Sequence, residues 1–356
     1  MQNPFTTTFS RLPEDTYIIT TAPEMIIENF SYDSPSEAIY KITGIRGSGK
    51  TVIMSNVQET MKSPEYAKKG WLVYTLNPSR DMLSQFAAYL YSEDFIKKSV
   101  KSKSININAS VFGTGGGIGY AKTEDDKYFD IGVEIRKMLD IVQSKKKKVL
   151  LCVDEVSKTP EMITFSLEFG GWMISGLPVY IICTGLYENV TEISNVKNLT
   201  FFRRGTSIIT APLNHTRMCE MYKNKLKIDI DLAKKLATIT KGYAYAFQQL
   251  GSIYFQKGNK VSLEEVVDEL RASLFSYSYE KIWEELSDED RFLTSLITDK
   301  EQYKRAEVLD LMGDKMKNYS VYRDRLIKRG VISAKQGYIS IYPPFFSEYV
   351  KEYGVV

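Results

Sequence analysis

The sequence is poor in the residues and patterns from which zinc sites, disulfide frameworks and membrane spans are built. It has one histidine, His215, and three cysteines without CxxC spacing, so a zinc site is not expected. The odd number of cysteines, and a first stretch without the basic flank and apolar run of a signal peptide, favour a reduced cytoplasmic protein. No apolar run approaches the roughly 18 to 20 residues of a bilayer span, so no membrane partner is expected.

Charge and composition leave the partner open but bound the architecture. The net charge of +3 is too small to indicate a nucleic-acid partner by itself. Hydrophobic residues at 43% and charged residues at 26% are typical of folded globular domains. A chain of 356 residues is too long for one ordinary core, so we expect two or three domains.

Strand-like and helix-like segments alternate as far as Pro212. The predicted strands cover residues 38–43, 71–76, 149–153, 179–183 and 207–209. Their alternation with helical patterns predicts an α/β domain over residues 1–212, with a parallel five-stranded sheet and helices on both faces. Alternating apolar residues around a glycine cluster predict a β-hairpin insertion at about 104–122.

The remaining sequence has a different texture. Four helical patterns between residues 213 and 282 predict an all-α domain, because strand signals nearly stop there. Residues 283–356 contain three shorter helical patterns and then two short strands around Gln336-Gly337. Helices followed by a hairpin predict a C-terminal winged-helix domain.

The clearest chemistry lies in the loop after the first predicted strand. Residues 44–51, Gly-Ile-Arg-Gly-Ser-Gly-Lys-Thr, match the phosphate-binding P-loop pattern, with a strand before and a helix after. Glycines let backbone amides approach phosphate oxygens, and the helix N-terminus favours an anion. Lys50 adds a charge between the β- and γ-phosphates, and the Thr51 hydroxyl is a ligand for Mg²⁺. The predicted nucleotide-binding residues are Gly44, Gly47, Ser48, Gly49, Lys50 and Thr51.

Polar residues at two predicted strand ends suit the rest of a hydrolysis site. Asp154 and Glu155 follow the apolar strand 149–153, where one carboxylate can hold Mg²⁺ and the next can activate water as a general base. Thr184 follows the strand 179–183 and is a candidate for sensing the γ-phosphate or positioning the water. The alternatives are an ordinary acidic strand end and ordinary turn chemistry.

Two adjacent arginines precede the fifth predicted strand. Arg203 or Arg204 is a candidate arginine finger that would complete the site of a neighbouring subunit in a homo-oligomer. A surface salt-bridge role is an equal alternative for both.

At these residues the chain resembles the AAA+ class of P-loop ATPases, and within it the prokaryotic group that includes archaeal ATPases and origin-recognition-type initiators. The resemblance rests on the loop 44–51, the acidic strand 149–155, Thr184-Gly185-Leu186 and the winged helix, with support from Asn3-Pro4-Phe5-Thr6 and residues 240–248. It implies ATP as the nucleotide, Mg²⁺ as the metal and a helical lid over residues 213–282. It also implies that Asp154 supports Mg²⁺, Glu155 activates water and Thr184 is the first sensor.

Two departures from this family bear on turnover. Relatives usually carry an arginine on the lid helix, and residues 242–249 contain none. The proline that relatives place in this motif is Ala244 here. Both departures favour a switch that holds ATP and hydrolyses it slowly.

The predicted recognition helix of the winged helix is rich in cations. Its candidate DNA contacts are Lys317, Arg323, Arg325, Lys328 and Arg329. Winged helices also bind proteins, and the sequence leaves the two partners equally open. Three hypotheses follow: an ATPase switch with a winged-helix output, a DNA-binding initiator or regulator of a mobile element with ATP mainly structural, and a signalling or defence scaffold.

Overall fold

The structure is a computed structural model that describes residues 2–8, 12–103 and 130–354. The chain forms two compact units. One contains Met1–Glu24, Thr43–Ser55 and Ile208–Val356, and the other contains Met25–Ile42 and Asn56–Ser207. The division at residues 212 and 282 stays a prediction. The predicted hairpin at 104–122 lies outside the described residues.

The predicted parallel five-stranded sheet is confirmed. Its strands are β1 (Ile39–Thr43), β2 (Trp71–Leu76), β3 (Lys148–Val153), β4 (Val179–Gly185) and β5 (Thr206–Ile209), in the order β2-β3-β4-β1-β5. β3 pairs in parallel with β2 and β4, and all its residues after Lys148 are buried. Burial from both sides explains the unbroken apolar sequence of this strand.

Three helices beside the sheet begin at polar caps. The Asp81, Asp130 and Thr159 side chains accept hydrogen bonds from first-turn amides of the helices Met82–Ser92, Ile131–Ser144 and Pro160–Ile174. In order the helices are α1 (Thr21–Ser31), α2 (Lys50–Lys62), α3 (Pro64–Lys68), α4 (Met82–Ser92), α5 (Asp94–Lys103), α6 (Ile131–Ser144), α7 (Pro160–Ile174), α8 (Tyr187–Ser194) and α9 (Thr200–Arg204).

The predicted helical region follows β5. It comprises α10 (His215–Leu226), α11 (Ile230–Ile239), α12 (Ala244–Lys257), α13 (Leu263–Leu274) and α14 (Glu280–Glu284). A capping box between Ser262 and Glu265 starts α13. Between α13 and α14 the chain makes a π-helical turn, Phe275–Tyr279, a local widening that is frequent at functional sites. We refer to α10–α14 as the lid.

The C-terminal part has the helices and small sheet of a winged helix. The helices are α15 (Asp288–Leu296), α16 (Arg305–Met312), α17 (Tyr319–Arg329) and α18 (Phe346–Tyr353). β6 (Tyr303–Lys304), β7 (Ile332–Lys335) and β8 (Tyr338–Ile341) form an antiparallel sheet in the order β6-β8-β7. Gln336 and Gly337 both have positive φ, as a tight two-residue hairpin turn requires. The two-residue strand β6 is an addition to the predicted hairpin.

Among the described residues, no helix combines the length and the apolar character that crossing a membrane would demand.

Candidate functional site

The loop Gly44–Thr51 joins the end of β1 to α2, so strand, glycine-rich turn and helix follow one another without interruption. Gly47 has φ +70° and Gly49 has φ +93°, a region that other residues rarely adopt. A Cβ at Gly47 would also lie 2.5 Å from the Tyr243 hydroxyl and 2.8 Å from the Tyr245 Cβ. Gly47 therefore serves both the turn and its contact with the lid.

Two polar groups of the loop fit a phosphate ligand. The Lys50 ammonium folds back and donates to the carbonyls of Gly44 at 3.0 Å and Ile45 at 2.9 Å. The Ser48 Oγ is buried and has no hydrogen-bond partner within the described ranges. A buried hydroxyl without a partner is costly, and a ligand oxygen can satisfy it. A cation, a hydroxyl and the amides at a helix N-terminus are the groups that bind phosphate.

The turn after β3 is held by Thr184 at the end of β4. The fully buried Thr184 hydroxyl donates to the Asp154 carboxylate and accepts from the Glu155 amide at 3.2 Å. The Glu155 amide also lies 3.1 Å from the same carboxylate, and Glu155 has φ +53°. A non-glycine residue in the left-handed region is a strained feature that is common at functional sites. Thr184 thus holds the Asp154 carboxylate and the backbone of Glu155.

Arg203 and Arg204 end α9 and are exposed. The helix is anchored by Lys41 of β1, whose buried ammonium donates to the carbonyls of Phe202 at 2.8 Å and Arg203 at 3.2 Å. Burial lowers the pKa of Lys41, and a cation at a helix C-terminus is favourable. Neither arginine is paired with a carboxylate in the described part of the chain, so the anchored helix presents both to solvent.

The five candidate cations of the winged helix divide into two groups. Lys317 and Lys328 are exposed, and Arg323 pairs with Asp324 at 2.6 Å. Arg325 and Arg329 instead bind Asp290, which is fully buried at the start of α15. Burial raises the pKa of Asp290, whereas the hydrogen bond from Arg325 and the charge of Arg329 oppose that rise. Arg329 itself is 8% exposed, so its guanidinium is part of the domain core.

A metal site made only of protein ligands is absent from the described residues, since no three His, Cys, Asp or Glu side chains are grouped to hold an ion. One hydroxyl and one carboxylate, completed by phosphate oxygens and water, are a donor set that suits Mg²⁺. Thr51 carries such a hydroxyl and Asp154 such a carboxylate, so each side chain is chemically suited to the metal role predicted for it.

Sequence reasoning missed three residues around the loop. Arg46 pairs with Glu285 at 2.9 Å, Tyr243 donates to the Arg46 carbonyl, and the Tyr245 amide donates to the Gly47 carbonyl. Position 46 is a variable position of the motif, and the tyrosines belong to a segment that marks the resemblance without a residue role. The only sequence signal was the pair of tyrosines flanking Ala244.

The fold, with its five-stranded sheet, helical region and winged helix, is shared with solved structures of an archaeal Walker-type ATPase and an archaeal origin-recognition protein. A Walker-type ATPase of Pyrococcus abyssi is 13% identical over 95% of this chain and 97% of its own, with a TM-score of 0.59. The ORC2 protein of Aeropyrum pernix is similar in its ADPNP–ADP complexes, with 12% identity, coverage of 93% and 91%, and a TM-score of 0.53. Its ADP form gives 11% identity, coverage of 97% and 95%, and a TM-score of 0.50.

Sequence comparisons add one partial match. Residues 276–350 match a family described as "Domain of unknown function (DUF8462)", which corresponds to the end of the lid and most of the winged helix. No curated protein sequence is significantly similar to the chain.

Proposed function

We propose that the chain binds ATP with Mg²⁺, hydrolyses it slowly, and uses its nucleotide state to set the arrangement of the winged helix. The observation that carries the proposal is the loop Gly44–Thr51. It combines a folded-back lysine and a helix N-terminus with a buried Ser48 hydroxyl that has no hydrogen-bond partner among the described residues. The Aeropyrum pernix ORC2 structure with ADPNP and ADP, which shares this fold, supports adenine nucleotides as the ligand.

The proposed roles follow from the chemistry of each side chain. The loop amides and Lys50 hold the β- and γ-phosphates, and Thr51 and Asp154 hold the metal. Mg²⁺, when bound, neutralises charge on the phosphate oxygens. Glu155 accepts a proton from the attacking water, and Thr184 keeps Asp154 and Glu155 in place.

Slow turnover is proposed from the absence of arginine in one segment of the lid. Residues 242–249 contain no arginine, so this segment supplies no cation for the charge that develops on the γ-phosphate. Arg203 and Arg204 remain candidates for that task from a neighbouring copy of the chain, because both are exposed on an anchored helix.

A run of polar contacts supports coupling between the loop and the winged helix. Arg46 of the loop pairs with the Glu285 carboxylate, and the Glu285 carbonyl accepts from Arg329 of α17 at 2.8 Å. Arg329 in turn pairs with Asp290 of α15 at 3.3 Å. All four residues belong to one compact unit, so a loop that changes with nucleotide has a direct path to α17.

The first prediction tests the loop itself. Replacing Lys50 by Ala should raise the Kd for Mg-ATP by roughly 10- to 100-fold, because a charge-assisted hydrogen bond to phosphate is lost. Isothermal titration calorimetry measures this directly. Lys62→Ala, at the far end of the same helix, is the matched control and should bind as the wild type does. If Lys50→Ala and Lys62→Ala have the same Kd for Mg-ATP, the loop is not part of the nucleotide site.

A second candidate function is duplex DNA binding through α17. It is favoured by the exposed cations Lys317 and Lys328, together with Arg323. Arg325 and Arg329 contribute less to this proposal because Asp290 binds both guanidinium groups. A protein partner is the competing possibility, since Met316 is 56% exposed and Val321 is 62% exposed on the same region.

Charge reversal tests the DNA proposal. The variant Lys317→Glu with Lys328→Glu should weaken duplex binding at every sequence and reduce the salt slope by about 2, one for each lost phosphate contact. Lys351→Glu on α18 serves as the control. Fluorescence anisotropy from low to moderate salt measures both quantities. No duplex binding by the wild type at low salt would exclude this function and favour a protein partner.

A further inference from the structure

Tyr243, at the start of α12, contacts the backbone of the candidate phosphate loop. Its side chain is fully buried, and its hydroxyl donates to the Arg46 carbonyl at 2.5 Å. Two residues later, the Tyr245 amide donates to the Gly47 carbonyl at 3.0 Å. Consecutive carbonyls of the loop are therefore both held by the same short segment of the lid.

The planarity of the peptide bond gives these contacts a consequence for the amides. In a trans peptide the C=O and N–H point in opposite directions. A hydroxyl that holds the Arg46 carbonyl therefore turns the Gly47 N–H away from Tyr243. The Tyr245 amide likewise turns the Ser48 N–H away from itself, and that N–H donates to the Ile45 carbonyl at 3.3 Å within the loop. The Gly47 amide therefore points to the side of the loop away from Tyr243, where an anion can approach it.

The hydroxyl is itself fixed as a donor. Burial raises the pKa of Tyr243 well above its usual range, so the phenol keeps its proton. That proton goes to the Arg46 carbonyl, and the bond to the Ser278 hydroxyl at 2.7 Å is therefore donated by Ser278. Ser278 lies in the π-helical turn Phe275–Tyr279 and is buried. The π-helical turn thus places the Ser278 hydroxyl where it donates to the Tyr243 hydroxyl.

We infer that Tyr243 is a positioning residue for triphosphate binding: its hydroxyl keeps the loop in the conformation in which the Gly47 amide receives the phosphates. The inference rests on the proposed function. It also explains why Gly47 bears no side chain, since a Cβ there would lie 2.5 Å from the tyrosine hydroxyl and clash with it. Ser278 acts through Tyr243 and does not touch the loop carbonyl.

The test removes one oxygen atom and nothing else. Tyr243→Phe should raise the Kd for Mg-ATP and for Mg-pyrophosphate by the same factor of roughly ten, the effect of one buried hydrogen bond. Pyrophosphate is included because it carries the phosphates without the base. Calorimetric titration of the full chain provides both values.

Tyr222→Phe is the matched control. Tyr222 is also fully buried, and its hydroxyl donates to a lid carbonyl, that of Phe247, at 2.7 Å. Both variants should lower the Tm of the nucleotide-free protein by a similar amount. Only Tyr243→Phe should weaken binding, and Tyr222→Phe should stay within about twofold of the wild type. Equal weakening by both variants overturns the inference, because it reduces Tyr243 to a structural role.

Two further outcomes separate the inference from the function on which it rests. If the wild type binds ATP and Tyr243→Phe binds it equally well, the inference is wrong and the function stands. If the wild type binds no ATP, the proposed function fails and the inference fails with it. Should Tyr243→Phe not fold, Ser278→Ala decides: a Kd raised about threefold supports the positioning role, and an unchanged Kd overturns it.

Discussion

Glu155→Gln is expected to bind Mg-ATP with the affinity of the wild type and to hydrolyse it about 10²- to 10⁴-fold more slowly, the range for losing a general base. Glutamine keeps the length and planarity of the side chain but does not accept a proton at neutral pH. The backbone of position 155 depends on its amide, which binds Thr184 and Asp154, and not on its side chain. The turn should therefore survive the substitution.

The measurement is phosphate release under single-turnover conditions beside a binding titration. Glu161→Gln is a suitable control, since Glu161 is an acidic residue in the first turn of α7, the helix that follows the same strand. It should leave turnover unchanged. Turnover at the wild-type rate in Glu155→Gln would show that Glu155 is not the general base.

The parts of the site that the sequence predicts are those with a local physical cause. The loop Gly44–Thr51 needs a strand, a glycine-rich turn and a helix in immediate succession, and all three are visible in adjacent residues. The central strand β3 is apolar throughout because both its faces are buried. Five parallel strands follow from the same alternation of patterns, and the structure confirms them.

The parts of the site that the sequence does not predict depend on contacts between residues far apart in the chain. The periodicity of the sequence carries no information about such contacts. Thr184 reaches Asp154 across 30 positions, and Tyr243 reaches the Arg46 carbonyl across 197. Arg325 looks like a free cation in the sequence because Asp290, which binds it, lies 35 positions away. A count of charges on one helix predicts an exposed basic face only when no buried acid faces that helix.

Asp290→Asn is expected to destabilise the winged helix by about 3 kcal/mol, near the lower end of the range for removing one partner of a buried ion pair. Asp290 is fully buried, accepts from Arg325 at 2.7 and 2.8 Å, and pairs with Arg329 at 3.3 Å. Asparagine retains one oxygen acceptor, which moderates the loss. It removes the negative charge of Asp290 from beside the Arg329 guanidinium, and Arg329 is only 8% exposed.

Urea unfolding measures the loss in the free energy of unfolding. Amide hydrogen exchange in α15 and α17 of the folded protein shows whether the loss is located in the winged helix. Asp324→Asn is the matched control, because it removes an aspartate that pairs with an arginine of the same domain at an exposed position. Its cost should be about 0.5 kcal/mol or less, the usual worth of a surface pair. Similar losses for the two variants would contradict the buried role of Asp290.

The double variant Asp290→Asn with Arg329→Met distinguishes two causes of the lost stability: the lost attraction between the ion pair, and the cost of burying the arginine charge without Asp290. If the cost of Asp290→Asn comes mainly from burying the Arg329 charge beside a neutral asparagine, then adding Arg329→Met should restore part of the stability. The restoration should be incomplete, because Arg329 also donates to the Glu285 carbonyl at 2.8 Å. The same variant removes the proposed path from the Arg46–Glu285 pair to α17. If the double variant regains stability but amide exchange in α17 no longer responds to ATP, the structural role of the Asp290–Arg329 pair is separate from its role in coupling.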